Sequence, residues 1–281
     1  TSSLVGSEMC IRDSPNIVIQ KLMQYKKPSG INWDTDEREY GYKAYLKSCQ
    51  KFRIPDGIRL HDYQEEAVQV WQANGYKGIF DMCTGSGKTY TALYGMIQLS
   101  KSLDEKLAVF IVCPYIHLVS QWEEDVEKWC SVPIIIAHSK SPNREWKKDL
   151  MMAYKRFRRE GSPFVCITTN DSFAGEELQQ YIVRFSETQN VLLIVDEAHN
   201  FGSAQMINVM PWNIPYRIAL SATIKRYMDK TGTNKINQFF GEKCIEYTLE
   251  QAIADGNLVH YDYIPIPVVS VSYTHLTLPT N

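Results

Sequence analysis

An α/β domain on a mainly parallel sheet, with helices on both faces, is the fold this 281-residue sequence predicts. Short apolar runs alternate with amphipathic stretches of helical period from Ile58 onward, a pattern that implies parallel strands joined by crossover helices. The strongest of these runs is apolar throughout, as expected of a strand covered on both sides. A glycine-rich loop stands between one run and the helix after it, which is the third sign.

The elements follow in order. Ala67, Val68, Val70 and Trp71 give helical periodicity across 62–74, ahead of a short strand at 78–82. The loop at 83–87 opens a helix from Lys88 to about Ser100. Strands are then expected at 107–113, 132–137, 164–168, 191–195 and 218–220, and a final strand and short helix at 243–247 and 249–254 precede the proline-punctuated run 261–269. Residues 15–57 carry an acidic cluster (Asp34, Asp36, Glu37, Glu39) and form a lead-in with no clear architecture. Residues 1–14 and 270–281 have neither periodicity nor cap logic; they resemble translated adapter peptides and are set aside as a tag would be.

Composition narrows the function classes. A net charge of −2 provides no global basic field, so contact with nucleic acid must come from local patches. The apolar runs fall short of the roughly 18 residues a membrane span needs, and no export signal is apparent. The cysteines are odd in number and scattered without a CxxC pair, which speaks against a disulfide framework or zinc knuckle and fits a reducing cytoplasm. His61, His117, His138 and His260 fall on different elements with no pair at metal-ligand spacing.

The chemistry is concentrated in three segments. Met82-Cys83-Thr84-Gly85-Ser86-Gly87-Lys88-Thr89 has the pattern of a phosphate-binding loop, with Met82 where Gly or Ala is commonest. In such a loop backbone N–H groups converge on phosphate oxygens, the glycines allow positive φ, and the next helix points its positive end at the anion. Lys88 would neutralise the β and γ phosphates of ATP and the Thr89 hydroxyl would ligate Mg²⁺. The second segment, 191–199, is an apolar strand ending in Asp196 and Glu197. Ligands of an open parallel sheet sit outside the strands' carboxyl ends, which suits Asp196 to the Mg²⁺ shell and Glu197 to the attacking water. The third, Arg217 to Thr223, ends its strand in Ser221 and Thr223.

Taken in order, and with Arg59-Leu60-His61-Asp62-Tyr63-Gln64 ahead of the loop, these segments resemble the first motor domain of a superfamily 2 DEAH-type helicase. The resemblance runs over about 58–265, and is strongest to the branch holding restriction-enzyme motors and phage-defence and repair helicases. It implies a RecA-like nucleotide-hydrolase domain, with Gln64 reading the adenine edge, His199 coupling nucleotide to the strand-binding elements, and Ser221 and Thr223 linking hydrolysis to domain movement. It also implies a second RecA-like domain in cis, with an arginine for the transition state, and nuclease or methylase partners. Ile224, where related branches often place Pro, departs from the pattern without removing a phosphate or metal ligand.

Nucleic-acid contacts are implied at Pro114 and Tyr115, after the strand at 107–113, and at Thr168 and Thr169, where a capping turn is the alternative. Branch resemblance favours DNA over RNA. Trp122 and Val126 share a helix face and read as core. A basic amphipathic helix over 143–159, including Lys147 and Lys148, either faces solvent or meets phosphates. Three functional readings result: an ATP-driven DNA helicase, a double-stranded DNA translocase that separates no strands, and a nucleotide-gated binding module without turnover. Glu197 argues against the last, which has no need of a water-orienting group.

Overall fold

The computed structural model describes residues 51–259, apart from 225 and 227. The lead-in before residue 51, the acidic cluster, the two terminal segments, His260 and the run 261–269 lie outside these residues.

Seven strands form one sheet, and every pairing in it is parallel. The chain runs α1 (Asp62–Ala73), β1 (Lys77–Met82), α2 (Lys88–Ser102), β2 (Ala108–Cys113), α3 (Ile116–Trp129), β3 (Ile134–Ala137) and α4 (Trp146–Glu160). It continues with β4 (Phe164–Thr169), α5 (Asn170–Ala174), α6 (Glu176–Ser186), β5 (Val191–Val195), a 3₁₀ turn (Ala198–Gly202) and α7 (Ala204–Asn208). It ends with β6 (Tyr216–Ser221), α8 (Lys230–Phe240), β7 (Lys243–Tyr247) and α9 (Leu249–Ala254). Across the sheet the order is β3-β4-β2-β5-β6-β1-β7.

Strand alternation sorts the core into two layers. Val109 and Ile111 of β2 and Leu192 and Ile194 of β5 pack with Trp71 of α1, Leu93 and Met96 of α2, and Trp122 and Val126 of α3. Their neighbours Phe110, Val112, Leu193 and Val195 pack on the opposite side with Leu150 and Phe157 of α4, Phe185 of α6 and Phe239 and Phe240 of α8. Because both faces are covered, β2, β4 and β5 are buried along their whole length, which is why β2 and β5 read as unbroken apolar runs and β4 as one up to its final threonines.

Both ends of the described chain add something that periodicity does not forecast. Phe52, ahead of the expected boundary at 58, is buried and forms an antiparallel bridge with Cys130 after α3. At the other end β7 pairs with β1, and the Tyr247 carbonyl accepts the Cys83 amide at 2.9 Å, so this last strand braces the glycine loop directly.

β6 carries an unusual buried cation. Arg217 is 3% exposed and donates to the carbonyls of Ile214 (2.7 Å), Phe239 (2.6 Å) and Trp212, with its guanidinium 4.2 Å from the Phe239 ring. Burial pulls its pKa down to about 10, which leaves it charged at neutral pH.

Candidate functional site

The sheet order places β5, β6 and β1 side by side. The loops leaving their carboxyl ends therefore lie at the same end of the sheet, and they are the three segments singled out by the sequence. The register is close: Asp81 lies opposite Ser221, and the Asp196 amide donates to the Val112 carbonyl at 2.8 Å.

The glycine loop is held by its carbonyls. Lys88 Nζ donates to Met82 at 3.0 Å and Cys83 at 3.4 Å, and Ser86 Oγ to Cys83 at 2.7 Å. The Tyr63 hydroxyl donates to Ser86 at 2.9 Å, and Gln64 Nε2 and Thr91 Oγ1 both donate to Gly87, at 3.2 and 3.0 Å. The Ser86 amide also turns inward, to the Cys83 carbonyl at 3.3 Å, so the loop is shaped by bonds at several of its own backbone groups. Gly85 and Gly87 have φ of 83° and 78°, and a Cβ on Gly87 would fall 2.5 Å from Gln64 Nε2. Gly87 also caps α2, whose first residues are Lys88 and Thr89. Tyr63 stacks on Tyr247 at 4.1 Å, and burial, then the Tyr247 hydroxyl, pushes its own hydroxyl up to about 12. It therefore stays protonated and keeps donating to the loop.

Gln64 is 3% exposed, its Oε1 accepts the His61 amide in a capping box for α1, and its Nε2 is bonded to Gly87. It therefore braces the loop from beneath, while the second amide hydrogen and the second lone pair of Oε1 are not used by these two bonds.

The two carboxylates emerge from the carboxyl end of β5, with β6 between it and the strand that carries the loop. Asp196 Oδ1 accepts the Glu197 amide and Oδ2 accepts the Trp122 indole N–H, each at 2.9 Å. Glu197 takes a left-handed conformation, φ 46° and ψ 52°, to enter the 3₁₀ turn. A non-glycine residue held there costs on the order of 1 kcal/mol, and such strain clusters at functional sites. Glu197 Oε2 lies 3.4 Å from His199 Nδ1, which is 3.3 Å from Ser221 Oγ, and that oxygen accepts the Thr223 amide at 3.2 Å. The Asn200 amide nitrogen, 3.2 Å from His199 Nε2, can only donate, so the ring proton belongs on Nδ1. The residues expected to couple nucleotide to movement thus form one chain of contacts from Glu197 to Thr223.

Two members of this site carry no sequence signal for their roles. Trp122 is core, as expected, but it also bonds Asp196. Arg226 donates to the His199 carbonyl and pairs with Asp229 at 2.7 Å, tying the turn after β6 to the 3₁₀ turn.

The donor set fits Mg²⁺. A threonine hydroxyl and a carboxylate are hard oxygen donors, the kind that suits Mg²⁺ held together with phosphate and water. A cavity of about 670 Å³ lies beside the loop, lined by Asp81, Thr84, Thr223, Tyr247 and Leu258. Lys88 and Asp196 are not among its lining residues.

The expected nucleic-acid residues lie on the other half of the same sheet edge, after β2 and β4. Tyr115 is 59% exposed, stacks on His117 and caps α3; Pro114 precedes it. Thr168 requires a correction. It is fully buried and its hydroxyl donates to the Ala137 carbonyl, because β4 is covered on both faces to its end; its side chain offers no phosphate contact. Thr169 accepts the Ser172 amide at 3.3 Å and so caps α5, in line with the capping turn. Lys147 pairs with Glu177 of α6 and Lys148 with Glu145, so part of the charge on α4 is already compensated.

Similarity to known proteins agrees with this geometry. A "DNA 3'-5' translocase XPB2" from Sulfurisphaera tokodaii is 28% identical over 179 residues, 62% of this chain and 33% of that protein. Among solved structures, a nuclease-deletion mutant of the type ISP restriction-modification enzyme LlaGI, in complex with a DNA substrate mimic, matches with TM-score 0.52 and 21% identity. The match covers 71% of this chain and 21% of that one. The DNA-bound type ISP enzyme LlaBIII also gives TM-score 0.52, at 19% identity over 71% of this chain and 16% of its own. At these identities the structural likeness shows the fold alone, and the chain spans about a third or less of each relative. The profile of the type III restriction enzyme res subunit matches residues 57–226. That span takes in the glycine loop, both carboxylates and the Ser221–Thr223 turn, and the chain belongs to this family.

Proposed function

We propose that this chain is the ATP-binding first motor domain of an ATP-dependent DNA translocase or helicase. The observation that carries the reading is positional: the glycine loop, the Asp196–Glu197 pair and the Ser221–Thr223 turn leave adjacent strands at one sheet edge, and the exposed loop at Pro114–Tyr115 leaves the same edge from β2, next to β5. A nucleotide on one half of an edge and a nucleic-acid strand on the other can be coupled through the strands between them.

In this reading the loop amides from Thr84 to Gly87 bind the phosphates of ATP, and Lys88 leaves its loop carbonyls to neutralise them. Thr89 and Asp196 would hold Mg²⁺, which would supply charge neutralisation at the phosphates. Glu197 orients the attacking water and accepts its proton. His199, within reach of both Glu197 and Ser221, transmits the state of the site toward Thr223. Gln64 and Tyr63 hold the loop in shape. Pro114, Tyr115 and Thr169 border the strand of DNA, with Lys147 and Lys148 as further phosphate contacts. A second motor domain supplies the remaining catalytic arginine, and nuclease or methylase subunits are its partners. Among the described residues no helix is long and apolar enough to cross a membrane.

The name of the XPB2 relative favours translocation as the primary activity. In a form of the protein that includes a second motor domain, ATP turnover is expected to rise at least about tenfold on adding duplex DNA. Steady-state phosphate release, with single-stranded RNA as the comparison, checks this. Turnover indifferent to DNA would contradict the motor reading and leave a plain nucleotide hydrolase.

A further inference from the structure

Asp196 is held from two directions. Its Oδ1 is fixed by the amide of the next residue, which any carboxylate at this turn could use, but Oδ2 is fixed by a donor distant in sequence, the indole of Trp122. Each carboxylate oxygen has a second lone pair, so neither bond exhausts its capacity to accept. What the pair of bonds removes is rotation.

The core alone does not account for this indole. Trp122 is 2% exposed among apolar side chains, where phenylalanine or leucine would fill most of the space without carrying a polar hydrogen inside. On the same helix Trp129 is also buried, and its Nε1 has no partner among the described residues. The two tryptophans therefore separate packing from hydrogen bonding within a single helix.

We propose that Trp122 is a positioning residue whose indole N–H holds the Asp196 carboxylate in the orientation that receives Mg²⁺ with the nucleotide. The proposal rests on the reading of Asp196 as a metal-holding residue. Partners of this kind, one bond behind a metal ligand, commonly change metal affinity by about 10–100-fold when removed; the lower end applies here because Oδ1 keeps its own bond.

The test is the Mg²⁺ dependence of fluorescent ADP binding by the 281-residue chain, a readout that needs no turnover. Trp122→Phe is expected to raise the Mg²⁺ concentration for half-maximal binding about tenfold, with affinity for ADP in the absence of Mg²⁺ unchanged. Trp129→Phe, which deletes an unbonded indole from the same helix, should leave the Mg²⁺ dependence as it is. Asp196→Asn separates the two layers of the argument. If it leaves the Mg²⁺ dependence unmoved, the metal assignment fails; if it shifts the dependence and Trp122→Phe does not, only the positioning role is overturned. Should Trp122→Phe fail to fold, the indole ¹⁵N–H resonance of Trp122 in the unaltered chain decides. It should move when Mg²⁺ is added to the ADP-bound protein, and a resonance that stays in place overturns the proposal.

Discussion

Glu197→Gln is expected to lower ATP turnover by about 10²–10⁴-fold in a form carrying both motor domains, the range for losing a positioned base. Nucleotide affinity should remain within about twofold. The amide matches the carboxylate in shape, so the left-handed turn at φ 46° and the neighbourhood of His199 persist. What disappears is the oxygen able to accept a proton from water. The measurement is kcat beside an independent nucleotide Kd, because only a defect confined to the chemical step separates the two. Turnover at the unaltered rate would remove Glu197 from the mechanism and leave it as a strained entry to the 3₁₀ turn.

Arg217→Met should produce the largest loss of stability. The methionine fills similar space but leaves the carbonyls of Ile214, Phe239 and Trp212 without their donor. An unpaired buried acceptor costs about 1–3 kcal/mol; the Ile214 and Phe239 bonds are buried and the Trp212 bond only partly so, so the sum is at least about 2 kcal/mol, or a fall in Tm of roughly 4–8 °C for a domain of this size. Arg217→Lys should recover only part of it, since an ammonium cannot reproduce the planar fork over Phe239. Thermal unfolding followed by circular dichroism checks both variants. An unchanged Tm for Arg217→Met would mean that the three carbonyls find other donors, and that this cation is not what joins β6 to α8.

These two residues also mark what can be read from the sequence. The position of Glu197 is legible because an apolar run ending in paired carboxylates reads as a buried strand that carries them at its carboxyl end, as β5 does; Lys88 and Thr89 likewise open the helix expected after the glycine loop. The buried strand β5 announces itself by composition, with the bounds expected at 191–195 being those observed; the half-exposed edge strand at 243–247 also has its expected bounds. Arg217 cannot be found this way, since its partners are backbone carbonyls, which every residue has. Trp122 reads as core from its helical spacing, correctly, but periodicity scores an indole by its apolar body and ignores its one polar hydrogen. Gln64 shows what a motif position leaves out: besides pointing to the nucleotide, its amide closes a local capping box and bonds the Gly87 carbonyl. Thr168 misleads because its strand stays covered up to its end.

The claim that the three loops form one Mg²⁺-nucleotide site is tested most directly by equilibrium binding of a fluorescent ATP analogue to the 281-residue chain. Unaltered protein should bind saturably and more weakly when Mg²⁺ is chelated. Lys88→Ala should weaken binding about 10–100-fold, the effect of losing charge-assisted hydrogen bonds worth roughly 1.5–3 kcal/mol. Equal affinity for the unaltered and Lys88→Ala chains, or affinity indifferent to Mg²⁺, would contradict the assignment of this sheet edge as the nucleotide site.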